Sequence, residues 1–214
     1  MTDLLRGTGT ATRRAGLRSG RQLAWQRTDT VGTELVFSSP ASAEGTAVVA
    51  GASAYTSQWR AELDADGAVR SLRMTCRGAG GSRALWLDRA DDGWSCRTEE
   101  TGDLHGSAGG PAGLPPPGID DPMRLEPGAV VRLADSPVSL SWTLRRLGLT
   151  PADGPVTVPT VRVLLPSLAV LPGVSTFRML GDRRLRVTGD EPACTYDMDG
   201  GVVTYQPGRF RLVH

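Results

Sequence analysis

The chain has 214 residues, of which 39% are hydrophobic and 22% are charged, and its formal net charge is +1 at pH 7. This length and balance fit one globular domain that buries an apolar core without disulfide or metal staples, and they exclude wholesale disorder. The near-neutral charge argues against a nucleic-acid-binding protein, because phosphate backbones are bound by strongly basic surfaces.

The first 20 residues are rich in Gly, Thr, Ser and Arg and show no apolar period, which predicts a disordered N-terminal tail. They contain no apolar run of the ~7–15 residues that a secretory signal needs, so we expect a cytoplasmic protein. The most apolar stretch, 161–174, is interrupted by Pro166 and Pro172 and is shorter than the ~20 residues of a membrane-spanning helix. The sequence therefore predicts no integral membrane segment.

Short runs in which apolar and polar residues alternate begin at Gln22 and continue to the C-terminus. A period of two is typical of strands that bury one face, because successive side chains point to opposite faces. At 34–38, the pattern predicts that Leu35 and Phe37 face the core and that Glu34 lies on the polar face. The other clear runs are 22–26, 72–77, 184–188 and 194–199.

Turn residues separate these runs. Asp66-Gly67 and Asp92-Gly93 each lie between two alternating segments, and similar Gly- and Asp-containing pairs follow at 181–182 and 199–201. Asp-Gly between strands is a strong hairpin signal, since the tight turn needs a positive φ. The strands should therefore form antiparallel meanders.

Helical signals are weak, because no window of a dozen residues carries the i, i+3, i+4, i+7 apolar spacing with caps. Leu140, Trp142 and Leu144 alternate with polar residues, so we expect a strand there. Residues 100–127 are dense in Gly and Pro, and three prolines at 115–117 exclude a central strand. This segment is predicted to be a disordered insert, or a lid, within a single domain spanning 21–214.

Residues that could support catalysis or bind a metal are sparse. The chain has three cysteines and two histidines and no Cys-x-x-Cys pair, which argues against a structural zinc site. His105 lies in the Gly/Pro-rich segment and His214 is the last residue, so a His-based catalytic triad is not expected. Paired aspartates fall at turns, where Asp bonds the local backbone. We therefore expect no enzyme, no metal and no cofactor.

Two adjacent arginines, Arg145 and Arg146, follow the alternating segment around Trp142. On a strand they would point to opposite faces, with Arg146 on the inward, apolar one. An inward arginine needs anionic or carbonyl partners, so Arg146 is either half of a strand-end ion pair or an anion anchor at a cavity mouth. The five tryptophans lie in strand-like segments and would either fill a core or line a ligand cavity.

Several residues also recur in a recognisable order. They are Trp25-x-Arg27, Glu34, Gly45, Tyr55, Trp59, Gly93-Trp94, Ser136-Pro137, Arg-Arg-Leu-Gly-Leu at 145–149, Asp-Gly-Gly-Val-Val at 199–203 and Pro207-Gly208. From residue 22 to the C-terminus, apart from 100–127, this order resembles the putative glycolipid-binding family of bacterial proteins. The resemblance implies a spiral β-roll similar in shape to lipoprotein carriers. The chain departs from the family pattern at Leu140 and Thr143, where relatives carry Asn and Pro, and at 205–206, where they carry Asp-Tyr.

The alternating runs and turns predict an all-β, antiparallel fold with little helix, and the resemblance implies that it is a spiral β-roll or incomplete barrel, of about 12 strands. The leading hypothesis is a protein that holds a lipid or glycolipid in an apolar concavity of the roll. Its predicted ligand-binding residues are Trp25, Tyr55, Trp59, Trp142, Arg145 and Arg146. The alternatives are a structural or partner-binding domain without a small ligand and, third, an enzyme that uses Asp and Arg.

Overall fold

The computed structural model describes residues 20–104 and 114–213; residues 1–19 of the predicted tail, 105–113 of the predicted insert and His214 lie outside the described residues. There is one α-helix, α1 (Val138–Leu147), and a 3-10 turn at Pro122–Arg124 in these ranges. The strands are β1 (Arg21–Arg27), β2 (Gly32–Ser38), β3 (Ser42–Val49), β4 (Tyr55–Leu63), β5 (Val69–Arg77), β6 (Gly81–Ala90), β7 (Gly93–Gly102), β8 (Val130–Leu133), β9 (Val156–Val163), β10 (Val170–Met179), β11 (Arg184–Gly189), β12 (Cys194–Asp199), β13 (Val202–Gln206) and β14 (Phe210–Leu212).

These strands join one open sheet in the order β7-β6-β5-β4-β3-β2-β1-β14-β13-β12-β11-β10-β9-β8. Neighbours pair antiparallel except β8 and β9, which run parallel. The predicted all-β antiparallel roll is confirmed, with fourteen strands in place of about twelve. The Asp-Gly turns form as predicted, and Gly67 and Gly93 have φ values of 93° and 146°, which glycine adopts readily.

Residues 114–129, the described part of the Gly/Pro-rich segment and its continuation, help to bring the two ends of the sheet together. Trp94 of β7 donates a hydrogen bond to the Glu126 carbonyl at 2.9 Å. Arg83 of β6 donates to the carbonyl of Ser167, in the β9–β10 connection, at 3.0 Å. The sheet therefore curls into an incomplete barrel, with this segment between its ends.

The segment around Trp142 is the helix α1, so the prediction of a strand there was wrong. Val138 and Trp142, one turn apart, pack into one core cluster, and Leu140 and Leu144 pack into another. Because α1 is buried on both sides, its apolar residues fall two positions apart and imitate strand alternation. The helix ends at Gly148, whose φ of 60° is left-handed and whose N–H donates to the Leu144 carbonyl at 2.9 Å.

The interior of the roll is packed around α1. One cluster contains Trp25, Leu72 and Leu85 from the first strands, and the other contains Phe177 and Leu185 from the later ones. The two small cavities next to α1 and its N-terminus have volumes of about 10 Å³ each, the size of one water molecule. The prediction of an apolar hollow inside the roll is therefore corrected, because in the described part of the chain α1 occupies that space.

Strand β2 faces the opposite way from the predicted orientation. Glu34 and Val36 are buried, at 3% and 0% exposure, whereas Leu35 and Phe37 are 43% and 44% exposed. Register explains the inversion, because Val36 lies directly opposite the buried Leu23 of β1 and opposed residues share a face. Pairing within the sheet thus overrides the apolar alternation of β2 itself.

Candidate functional site

The face of β2–β6 that points away from the core carries a continuous row of large side chains. One residue of each strand belongs to this row, and each lies directly opposite the next residue of the row on the neighbouring strand. In strand order they are Phe37, Glu44, Arg60, Arg73 and Trp86. Side chains opposed in this way are neighbours on one face. The row therefore begins and ends with an aromatic ring and holds three charged groups between them.

A second row runs beside the first and completes a groove, which we call the outer groove. Again paired strand by strand, this row consists of Leu35, Thr46, Gln58 and Thr75. The two rows line a space of about 390 Å³, within the size range of small-ligand sites. Leu35 and Phe37 on β2 and Trp86 on β6 supply large apolar side chains to its two sides.

The Trp86 ring is positioned by Arg97 of β7. The guanidinium carbon of Arg97 lies 4.1 Å from the centroid of the Trp86 ring, which is a close cation–π contact. Of the five tryptophans, Trp86 alone is not buried. A positioned and partly exposed indole ring on a groove wall is suited to stack on an apolar chain or on the apolar face of a sugar ring.

A polar groove of about 310 Å³ adjoins the outer groove and shares Arg60 and Arg73 with it. Arg73 Nη2 lies 2.7 Å from Asp88 Oδ1, and Arg70 Nη2 lies 2.9 Å from Glu62 Oε2. Arg60 is exposed and, in the described part of the chain, forms no hydrogen bond or ion pair. Arg60 therefore lies at the junction of the two grooves without a close ion pair, although it acts at longer range on Glu62, whose pKa is lowered mainly by Arg70 and to a smaller extent by Arg60.

On the inner face of the same strands, Glu34 is buried in a polar cluster. Trp59 Nε1 donates to Glu34 Oε1 and Ser136 Oγ donates to Glu34 Oε2, each at 2.9 Å. Burial raises the pKa of Glu34 to about 7, although the two hydrogen bonds act in the opposite direction. This carboxyl group therefore connects β2 to β4 and to the turn that precedes α1.

The residues around Glu34 are closely packed and joined by ion pairs. A Cβ at Gly45 would lie 2.4 Å from ring carbons of Trp59, which is directly opposite on β4. Asp135, in the turn before α1, accepts from Arg209 Nη2 at 2.6 Å and lies 3.5 Å from Arg27 Nη1. These contacts fix the start of α1 against the sheet, so the cluster has a clear positioning role.

Four of the six predicted ligand-binding residues are buried in the core. Trp25 is buried and donates to a backbone carbonyl of β13 at 2.8 Å. Trp59 and Trp142 meet edge to face with ring centroids 5.6 Å apart. Tyr55 lies beside Glu34, where burial raises the pKa of its hydroxyl. Of these four, only Trp59 also lines the outer groove, and a role for them in ligand binding stays a prediction.

Arg145 and Arg146 lie in the last turn of α1, so the expectation that they follow a strand was wrong. Arg145 donates to the carbonyls of Pro40 and Ala65, each at 2.6 Å, and fastens the helix end to two strand connections. Desolvation by burial lowers the pKa of Arg146, which lines one of the 10 Å³ cavities. Neither arginine lines the outer groove, and their predicted role as a ligand anchor is not tested by these contacts.

Sequence reasoning missed the main residues of the outer groove, which are Leu35, Phe37, Arg60, Arg73 and Trp86. One signal was present, because residues 35–37 are apolar at three consecutive positions. Whichever face of such a strand is buried, at least one apolar side chain points to solvent. The arginines carried no comparable signal, since charged residues on an exposed strand face are ordinary.

The described residues contain neither a membrane-spanning helix nor a cluster of metal ligands. No helix in residues 20–104 or 114–213 is long and apolar enough to cross a membrane. Within the same residues, no group of three or more His, Cys, Asp or Glu side chains is arranged to hold a metal ion. All three cysteines are free thiols.

A third groove, of about 560 Å³, lies beside β9 and β10 and is lined by Val158, Pro172 and Val174 among others, with no aromatic side chain. The outer groove differs from it because the aromatic rings of Phe37 and Trp86 line it.

The chain is similar to a solved structure over nearly its whole length. A crystal structure of a DUF1089 family protein from Pseudomonas aeruginosa superposes with a TM-score of 0.65 at 18% identity, covering 95% of this chain and 99% of that chain. At this identity the likeness concerns the fold. No curated protein matches the chain. The family model described as putative glycolipid-binding matches residues 22–211, and the chain therefore belongs to that family, as the resemblance of its residues indicated.

Proposed function

We propose that the protein binds an amphiphilic lipid that carries a sugar headgroup, and that the outer groove is the binding site. The family description supports a binding role. The location rests on the exposed side chains of Leu35 and Phe37 and the partly exposed ring of Trp86, which lie on one sheet face around a space of about 390 Å³. Apolar side chains grouped on a surface are typical of interaction sites, whereas single exposed ones are not.

The outer groove provides both kinds of contact that such a ligand needs. Leu35 and Phe37 contact the apolar chain, and burial of that chain is the main favourable contribution. Gln58 and Thr46 donate and accept hydrogen bonds, as sugar hydroxyls require. The ligand class inferred from the sequence is thus retained, and its site is moved from the interior of the roll to the outer face of β2–β6.

Dodecyl maltoside below its micelle concentration is a suitable probe, because it joins an uncharged sugar to one apolar chain. Its binding can be followed by acrylamide quenching of tryptophan fluorescence, to which Trp86 is the most accessible since the other four tryptophans are buried. We expect saturable protection from quenching. The double variant Leu35→Ser, Phe37→Ser should bind at least about tenfold more weakly, because each apolar side chain contributes about 1–3 kcal/mol.

Tyr205→Ser is the matched control for this experiment. Tyr205 on β13 is 39% exposed, similar to the two β2 residues, and it lines neither groove. This variant should bind dodecyl maltoside as the wild-type protein does. Absence of protection in the wild-type protein would contradict the proposed function, and undiminished binding by the double variant would contradict the proposed site.

A further inference from the structure

Arg60 and Arg73 form a like-charged pair where the outer groove meets the polar groove. They are directly opposite on β4 and β5, a position in which two like charges destabilise a sheet. Arg73 is neutralised by Asp88 at 2.7 Å. Glu44 is opposite Arg60 on β3, yet within the described residues Arg60 has no carboxylate at ion-pair distance. Of the pair, Arg60 is therefore the arginine without a close ion pair in the described ranges, with Glu44 across the strand and Glu62 within electrostatic reach.

Four arginines line the polar groove; three of them are in ion pairs with carboxylates, and the fourth is Arg60. The charged lining of the groove consists of two carboxylates, Glu62 and Asp88, and four arginines, Arg60, Arg70, Arg73 and Arg89. Arg89 forms an ion pair with Asp64, which is not part of the lining. An anion placed at Arg60 would therefore meet a field that favours it, in a surface depression where solvent screening is weaker than on a flat surface.

We propose that Arg60 and Arg73 bind an anionic, phosphate-type group on the lipid headgroup, with the apolar chain in the outer groove. This inference rests on the proposed function and narrows its ligand to an anionic lipid. A phosphate oxygen set can accept hydrogen bonds from both guanidinium groups at once and removes the repulsion between them. The two arginines line both grooves, so one amphiphile can occupy both with its charge at the junction.

The chain contains a matched arginine pair that lacks a groove. Arg178 and Arg186 are directly opposite on β10 and β11, and both are exposed. In the ranges that the structure covers, neither forms an ion pair, and neither lines the outer or the polar groove. This pair reproduces the charge and the register of Arg60 and Arg73 without the adjoining apolar surface, and it supplies the control.

Two probes of equal chain length test the inference, namely neutral dodecyl maltoside and anionic dodecyl phosphate, both below their micelle concentrations. Wild-type protein should bind dodecyl phosphate about tenfold more tightly, because the hydrogen bonds to phosphate are charge-assisted. Arg60→Gln should reduce this ratio of affinities to about twofold or less. Arg60→Lys, which keeps the charge, should retain most of the preference, and Arg178→Gln should leave the ratio unchanged.

The outcomes separate the inference from the proposed function. If dodecyl maltoside binds but dodecyl phosphate has no advantage, or if the advantage survives Arg60→Gln, the inference is wrong and the proposed function stands. If neither probe binds, both are wrong. Inorganic phosphate alone distinguishes a headgroup from a free anion: we expect no displacement of dodecyl phosphate at equal concentration, and displacement would overturn the assignment to a lipid headgroup.

Discussion

The two faces of β2 have the opposite polarity to that expected of a buried and an exposed strand face. On the inner face the strand buries Glu34, which Trp59 and Ser136 hold at 2.9 Å, and on the outer face it exposes Leu35 and Phe37. Stability alone would favour the reverse, because burying a carboxyl group is unfavourable and an exposed apolar side chain gives up hydrophobic stabilisation. The difference indicates that the inner face positions α1, whereas the outer face is available to contact a ligand.

The largest effect should come from the inner face, at Gly45→Ala. The added methyl group would lie 2.4 Å from the Trp59 ring, which cannot shift without losing its hydrogen bond to Glu34. We expect the free energy of unfolding in urea to fall by about 3 kcal/mol. Gly154→Ala, with nothing within 4 Å of the added Cβ, should change it by less than about 0.5 kcal/mol. Similar small losses in both variants would show that the inner cluster is loosely packed.

A somewhat smaller effect is expected from the titration of Glu34. Its pKa is about 7 in the folded protein against an ordinary 4.5, so the folded state binds this proton more tightly than the unfolded state. The resulting stabilisation is fully present below about pH 4.5 and is lost as the pH rises through about 7. Glu34→Gln does not undergo this loss. Relative to wild type, its free energy of unfolding should therefore rise by about 2–3 kcal/mol between about pH 5 and pH 8.

The measurement for Glu34 is urea unfolding of both proteins at the two pH values. The quantity to compare is the free energy of unfolding of Glu34→Gln minus that of wild type at each pH, because other groups also titrate. Asp29, for example, has a lowered pKa and therefore stabilises the folded protein more as the pH rises. The titratable groups that face Glu34 are Asp135, Arg27 and Tyr55, and all are common to both proteins. A difference that stays constant with pH would show that Glu34 is ionised throughout and that the inner face tolerates its charge.

The smallest effect should come from the outer face. Val36→Ala and Phe37→Ser are a matched pair, since the residues are adjacent on β2 and are 0% and 44% exposed. Val36→Ala should lower the free energy of unfolding by about 2 kcal/mol through loss of core packing, and Phe37→Ser by less than about 1 kcal/mol. Urea unfolding at constant pH measures both. If Phe37→Ser proved the more destabilising, the outer face would belong to the core rather than to a binding site.

Much of the fold could be predicted because its signals are local. Alternation over a few residues indicated strands, and Asp-Gly at 66–67 and 92–93 indicated hairpins, each within one short window. The helix α1 could not be recognised from its apolar spacing, since burial on two sides produces an alternation of two. Its flanking residues, Pro137 and Gly148, were the usable signal, because proline starts and glycine ends helices preferentially.

The candidate site was predicted less well than the fold. The family resemblance named Glu34, Gly45 and Trp59, but only the register of β2, β3 and β4 brings them together on the inner face. Arg60 and Arg73 are 13 positions apart and became neighbours through the pairing of β4 with β5. Sequence spacing carries no information about such a pair until the register is known.

By itself, the sequence determined that this chain forms antiparallel strands joined by tight turns, because period-two alternation and Asp-Gly turns act over a few residues. Only the tertiary structure decided which face of β2 is buried and that α1 fills the roll. Both depend on residues far apart in the chain, such as Ser136, which donates to Glu34 across a separation of 102 positions. The exposure of Leu35 and Phe37, and with it the outer groove, follows from that long-range pairing.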